Sequence, residues 1–220
     1  MKPFRLVEKL IPSYGRRPLL TALILNMSVY WGARLIAGRW PHFILETAID
    51  RTIPLLPWTV TVYFGSFLFW AVNYILAVRL SKDRAWRFLA ADALGKLTCF
   101  VLFLALPTTN IRPDLPASGL FAPVMEFLYA VDRPDNLFPS IHCFNSWMCW
   151  AGVRSRQEVP AGYRAFSLVM TLAVAVSTLT TKQHVLADAA AGVILAEACW
   201  QILGLVWKMD RAPIGGSFSP

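Results

Sequence analysis

An all-α integral membrane protein, a six-transmembrane-helix bundle with short outer interfacial helices, is the fold class that this sequence predicts. Three observations predict it. The 220 residues are 56% hydrophobic and only 15% charged, with a mean hydropathy of +0.50, far more apolar than a soluble domain of that length. The apolar residues gather into six blocks, at about 19–37, 58–78, 86–106, 138–153, 163–179 and 184–206. A run of about 20 apolar residues is what an α-helix needs to cross roughly 30 Å of hydrocarbon. Finally, the Lys and Arg residues sit almost entirely at the ends of these blocks rather than along them.

Taken in order, residues 1–17 are a polar, basic arm, and the first block is long enough to be retained as a spanning helix rather than cleaved as a signal. Between the first two blocks, residues 40–57 mix Phe43, Ile44 and Ile49 with Glu46, Asp50 and Arg51. That pattern predicts a short interfacial helix ended by Pro54 and Pro57. The second and third blocks read as plain spans, and residues 118–131 repeat the interfacial character. The fourth block is short for a span by length alone, whereas the fifth and sixth are of ordinary length. Trp58, Trp86 and Tyr163 fall near block ends, as an interfacial aromatic belt requires. No repeat or linker divides the chain. It reads as one membrane domain, with an arm at 1–17, a six-helix core at 18–206 and a tail at 207–220.

A net charge of +8 raises the question of nucleic acid, but the placement of the charges answers it. Fourteen Lys and Arg residues fall on one side of the predicted bundle: Lys2, Arg5, Lys9, Arg16, Arg17, Arg79, Lys82, Arg84, Arg87, Arg154, Arg156, Arg164, Lys208 and Arg211. Six fall on the other: Arg34, Arg39, Arg51, Arg112, Arg133 and Lys182. The positive-inside rule then puts both termini in the cytoplasm of a cell-membrane protein. Membrane lipids, not nucleic acid, are the expected partners, and the sequence names no protein partner. Cys99, Cys143, Cys149 and Cys199 lie within apolar blocks without metal-ligand spacing and read as helix packing.

Ionisable residues at the edge of a membrane are costly and mark function by default. Two clusters stand out. In the first, Pro139-Ser140-Ile141-His142 opens the fourth block, with Ser140 as helix N-cap and His142 in the first turn, where free N–H groups attract an anion. In the second, Lys182-Gln183-His184 opens the sixth block, and Asp188 follows His184 by four residues on the same helix face. Asp188 can then accept from one imidazole nitrogen and leave the other free to attack. The fourth and sixth spans both run from outside to inside, so both histidines fall at one outer depth, within reach of Arg112. Two His and one Asp could also ligate zinc, but no further ligand lies nearby in sequence, so no metal is expected. His42 reads as a headgroup-level residue, Lys96 and Glu197 as a pair buried within the bundle, and Asp92 as a local salt-bridge partner.

These residues resemble the type 2 phosphatidic acid phosphatase superfamily. Pro139-Ser140-Ile141-His142 is similar to its second motif, His184 with Asp188 to the end of its third, and Arg112-Pro113 to the end of its first. The likeness covers roughly residues 86–206. It departs where the family carries a first-motif Lys, here Ala105, and a third-motif Arg, here replaced by Ser177-Thr178 with a Lys182 nearer the His. A basic residue at that point is similar to the branch containing inositol phosphorylceramide and sphingomyelin synthases. The resemblance implies a lipid phosphatase, with phosphodiester headgroup transfer or a silent phospholipid-binding protein as alternatives. It implies His184 as nucleophile forming a phosphohistidine, Asp188 fixing its tautomer, and His142 as general acid and base. Arg112, Lys182 and Ser140 would hold the phosphoryl oxygens of a lipid phosphate, without a cofactor. A transporter is disfavoured because the polar residues gather at one surface.

Overall fold

The computed structural model describes residues 11–207, and they are mostly helical. Expectations for Lys2, Arg5, Lys9, Lys208 and Arg211, and for most of the arm and all but the first residue of the tail, lie outside the described residues. In chain order the helices are α1 (Ser13–Ala37), α2 (Ala48–Thr52), α3 (Val60–Leu80), α4 (Lys82–Ala105), α5 (Ala122–Val131), α6 (Ile141–Val153), α7 (Ala161–Thr180) and α8 (Leu186–Trp207). Five of them, α1, α3 with its leading 3-10 turn, α4, α7 and α8, are long and apolar enough to cross a membrane. This is the signature of a multi-pass membrane protein.

The fourth apolar block departs from the expected pattern. Only 13 of its residues form α6, about 20 Å of helix, because the block begins with a bend at Phe138 and Pro139, and Ser140 caps the helix. The Ser140 side chain accepts from the Cys143 N–H at 3.3 Å. No residue of α6 is exposed, since α3, α4, α7 and α8 all pack around it. A helix solvated by other helices needs neither the length nor the uniform greasiness of one solvated by lipid. Phe144 and Met148 carry its contribution to the core, together with Phe88 and Trp200.

Two close approaches fix α6 in place. A Cβ added at Gly192 on α8 would meet the Ser140 carbonyl oxygen, with Cys143 Cβ and Phe144 N next at 3.2 Å. One added at Gly95 on α4 would run into the Phe144 ring. The Ser140 N–H also donates to the Asp188 carbonyl at 3.0 Å, which locks the start of α6 to the start of α8.

The segments at this end of the bundle knit together. The 40–57 stretch is not one helix: it holds a two-residue strand, β1 (Phe43–Ile44), then the five-residue α2 with a capping box of Thr47 and Asp50. β1 pairs in parallel with β2 (Thr108–Thr109), aligning Phe43 with Thr108 and Ile44 with Thr109. The Thr108 hydroxyl in turn accepts from the N–H groups of Leu137 at 3.1 Å and Phe138 at 2.9 Å, which holds the loop before α6.

The expected pair of Lys96 with Glu197 does not form. Lys96 donates to Asp92, one turn earlier on its own helix, at 2.8 Å, and Tyr74 also donates to Asp92. Asp92 is thus the local partner that helix spacing predicts. Glu197 instead takes two bonds from Arg154, at 2.7 and 2.8 Å, and one from Trp147. The nearer partner wins because an i,i+4 ion pair needs no help from helix placement.

Candidate active site

Where α6 and α8 begin, a cavity of about 270 Å³ opens. His142 and His184 both line it, with ring centroids 6.0 Å apart. His142 is the second residue of α6, as its motif predicts. Its ring lies 4.3 Å from that of Tyr63 and 5.2 Å from that of Trp70, centroid to centroid, and its Nδ1 is 3.5 Å from the Tyr63 hydroxyl. Its Nε2 is buried without a hydrogen-bond partner.

His184 is reached differently from expectation. It does not share a helix face with Asp188, because α8 starts two residues later, at Leu186. The contact survives because Asp188 folds back over the helix start, where its Oδ2 accepts from the Val185 N–H at 3.0 Å and lies 3.3 Å from His184 Nδ1. Both residues are buried, at 8% and 1% exposure. With Nδ1–H donating to the carboxylate, Nε2 is left as the lone-pair nitrogen.

The turn that delivers His184 is a Schellman motif. The Gln183 N–H returns to the Thr178 carbonyl at 2.9 Å and the Lys182 N–H to the Leu179 carbonyl at 3.2 Å. Lys182 occupies the left-handed position, φ 57°, that glycine usually takes. Its ammonium does not face the cavity. It donates to the carbonyls of Asp50 at 3.0 Å and Ile53 at 2.6 Å, at the end of α2. Ser140, fully buried, spends its hydroxyl as the α6 cap. Of the three residues expected to hold phosphoryl oxygens, these two therefore serve the scaffold.

Arg112 is brought to the site. It donates to Gln183 Oε1 at 2.5 Å and to the Asp132 carbonyl at 2.6 Å, and its guanidinium lies over the Tyr129 ring. Its Nε–H is buried and unpartnered, and so is Gln183 Nε2. Burial pulls the Arg112 pKa down from its ordinary value, against the opposing pull of Asp132.

Four residues that the sequence reading did not single out, Gln183, Tyr30, Tyr63 and Asp132, complete the wall. Gln183 presents its amide beside His184. Tyr30 and Tyr63 donate to the two oxygens of Asp132, Tyr30 at 2.7 Å. Burial raises the Asp132 pKa, but the field of His142 and the Tyr63 and Tyr30 hydroxyls outweigh it, and the carboxyl lies below its usual range. The position of Gln183 next to His184 was the available signal. Nothing in sequence connects Asp132 to tyrosines 102 and 69 residues away. Asp135, nearby on the wall, pairs with Arg34 at 3.1 Å. His42 stands apart, with Nδ1 on the Trp40 carbonyl at 2.7 Å. Among the described residues, no group of three or more His, Cys, Asp or Glu is placed to hold a metal ion.

No family model matches the chain, and neither a curated protein nor a solved structure matches it.

Proposed function

We propose that this protein is a multi-pass cell-membrane enzyme that removes phosphate from a lipid through a phosphohistidine. In this reading all six apolar blocks span, both termini are cytoplasmic, the site faces the extracytoplasmic side, and the segment with α2 and α5 lie along the interface. The distribution of Lys and Arg supports that orientation, and the resemblance to the type 2 phosphatidic acid phosphatase superfamily supports the chemistry.

One observation carries the proposal. A carboxylate-held imidazole shares a cavity with a second imidazole and with the Gln183 amide, and His142 Nε2 and Gln183 Nε2 there are buried without protein partners. Buried polar groups are almost always satisfied, so such a set is explained by a ligand rich in acceptors, and a phosphoryl group is one.

In this reading the steps are as follows. His184 Nε2 attacks phosphorus while Asp188 stabilises the imidazolium through Nδ1–H. The P–O bond to the lipid breaks, and His142 gives its proton to the leaving oxygen. His142 then takes a proton from an incoming water, whose oxygen attacks phosphorus. The P–N bond breaks and returns its electron pair to Nε2. Arg112 and Gln183 hold the oxygens that gain charge.

Headgroup transfer to an alcohol uses the same steps with a different acceptor, and the departures at Ala105, Ser177 and Lys182 keep it as the alternative. A silent phospholipid-binding protein is the third reading, and the altered motif positions at Ala105, Ser177 and Lys182 are its support. The test is phosphate release and product analysis with wild type and His184→Ala in detergent, on phosphomonoester and phosphodiester lipids, with EDTA and with an added alcohol. Release or transfer by wild type alone supports the proposal, and the products name the acceptor. Equal inertness of both proteins across the panel selects the silent reading.

A further inference from the structure

The cavity does not stop at the histidines. A second one, of about 310 Å³, continues from it along the seam between α1 and α3, and Asn26, Met27, Phe67 and Trp70 line both. α1 leans on α4 and only lightly on α3, so the seam is loosely closed. Leu23, Met27 and Phe67 beside it are 58%, 44% and 49% exposed, which gives the groove an apolar mouth facing outward from the bundle.

At the junction of the two cavities lies a polar feature in otherwise apolar walls. Asn145 follows His142 by three residues on α6, so it shares the same face about 4.5 Å further along the axis. It is buried, at 3% exposure. Its Nδ2 donates to Asn26 Oδ1 at 3.5 Å, and its Oδ1 has no partner. With its Nδ2 turned to Asn26, Asn145 leaves its carbonyl oxygen, and the pair leaves further N–H groups, for a third group. Lys96, further along the groove, takes no part, because Asp92 and Tyr74 already engage its ammonium.

We propose that the Asn26–Asn145 pair binds a hydroxyl or amide N–H that the lipid carries a few bonds from its phosphate. The inference rests on the lipid-phosphate reading and names the substrate class within it. A lysophospholipid or sphingoid-type phosphate places a donor there. A diacylglycerol phosphate offers only ester acceptors, and a prenyl phosphate offers neither; both leave the buried Asn145 carbonyl unanswered. A site built around a hydrogen bond discriminates more sharply against a ligand that lacks the group than an apolar wall does. The hydrocarbon chain then follows the α1–α3 seam.

The test is a one-atom comparison. Non-hydrolysable phosphonates of a lysophosphatidic acid, one with its free glycerol hydroxyl and one with hydrogen in its place, are measured for equilibrium binding to wild type, Asn145→Ala and Asn26→Ala, and phosphate release is followed from the matching phosphates. Wild type should bind the hydroxylated lipid about tenfold more tightly, and either variant should bring the ratio to about one; the half-buried Asn26 provides the result if Asn145→Ala does not fold. Equal binding of the two lipids by wild type, or an unchanged ratio in the variants, overturns the subsite. A binding preference without phosphate release keeps the subsite and overturns the enzymatic reading. Binding of neither lipid overturns both.

Discussion

Two buried polar clusters sit in this bundle, and they are finished differently. Around Lys96, both Asp92 oxygens are used, one by the ammonium and one by Tyr74. Around His142 and His184, polar atoms of Arg112, Gln183, His142 and Asp188 are left without partners. Lys96 and Asp92 are 2% and 0% exposed and His184 and Asp188 8% and 1%, while His142 and Arg112 are half-buried. A closed cluster meets its own desolvation cost and serves the fold, whereas an open one costs stability in the absence of a ligand and is retained for what it binds.

The sharpest way to break the comparison is Asp188→Asn. The amide still accepts from the Val185 N–H, so the start of α8 is preserved, but it no longer favours Nδ1–H on His184. Turnover of a lipid phosphate should fall by about 10⁴-fold with little change in thermal unfolding. Lys96→Met probes the closed cluster and should do the reverse: it strands Asp92 and costs about 3–5 kcal/mol of stability. Melting in detergent should drop while the rate per folded molecule is kept; a stable but inactive Lys96→Met protein would assign that cluster to function and erase the contrast.

Gln183→Leu removes one open donor beside His184. A loss of about 10²-fold in turnover, larger than any change in melting, is expected if that amide holds a phosphoryl oxygen. The smallest effect belongs to the clamp below the site. Asp50 accepts from the Leu186 N–H at 2.7 Å. Burial raises its pKa, but the Thr47 hydroxyl, the Leu186 and Thr47 N–H groups and the Lys182 charge outweigh this, leaving it below the ordinary 3.8. A depressed carboxyl contributes stability that is fully present above pH about 4 and lost as pH falls through the folded pKa. Unfolding followed from pH 6 to pH 2 should therefore show a smaller acid-side loss in Asp50→Asn than in wild type.

Much of this was legible in the sequence because it rests on local rules. The apolar blocks, the cap at Ser140 and the shared depth of His142 and His184 follow from length, spacing and motif. The role of Lys182 was not legible, because a non-glycine residue in the left-handed turn position leaves no mark in composition, and its ammonium is turned by that backbone toward α2. Glu197 was matched to the wrong cation because depth along two helices does not give their rotation, whereas the four-residue spacing of Asp92 and Lys96 does. The link from Asp132 to Tyr30 and Tyr63 exists only once three elements have packed.

The enclosure of α6 bears on how the protein is made. A 13-residue helix that carries an asparagine is a poor candidate for the translocon to release into lipid by itself. Two of the helices that cover it, α7 and α8, are synthesised after it, and α8 also brings Asp188 and the bond to the Ser140 N–H. In the six-span reading, membrane integration of this chain is non-sequential, with α6 held by the insertion machinery or by α3 and α4 until α8 arrives, and the histidine pair completed only at that final step.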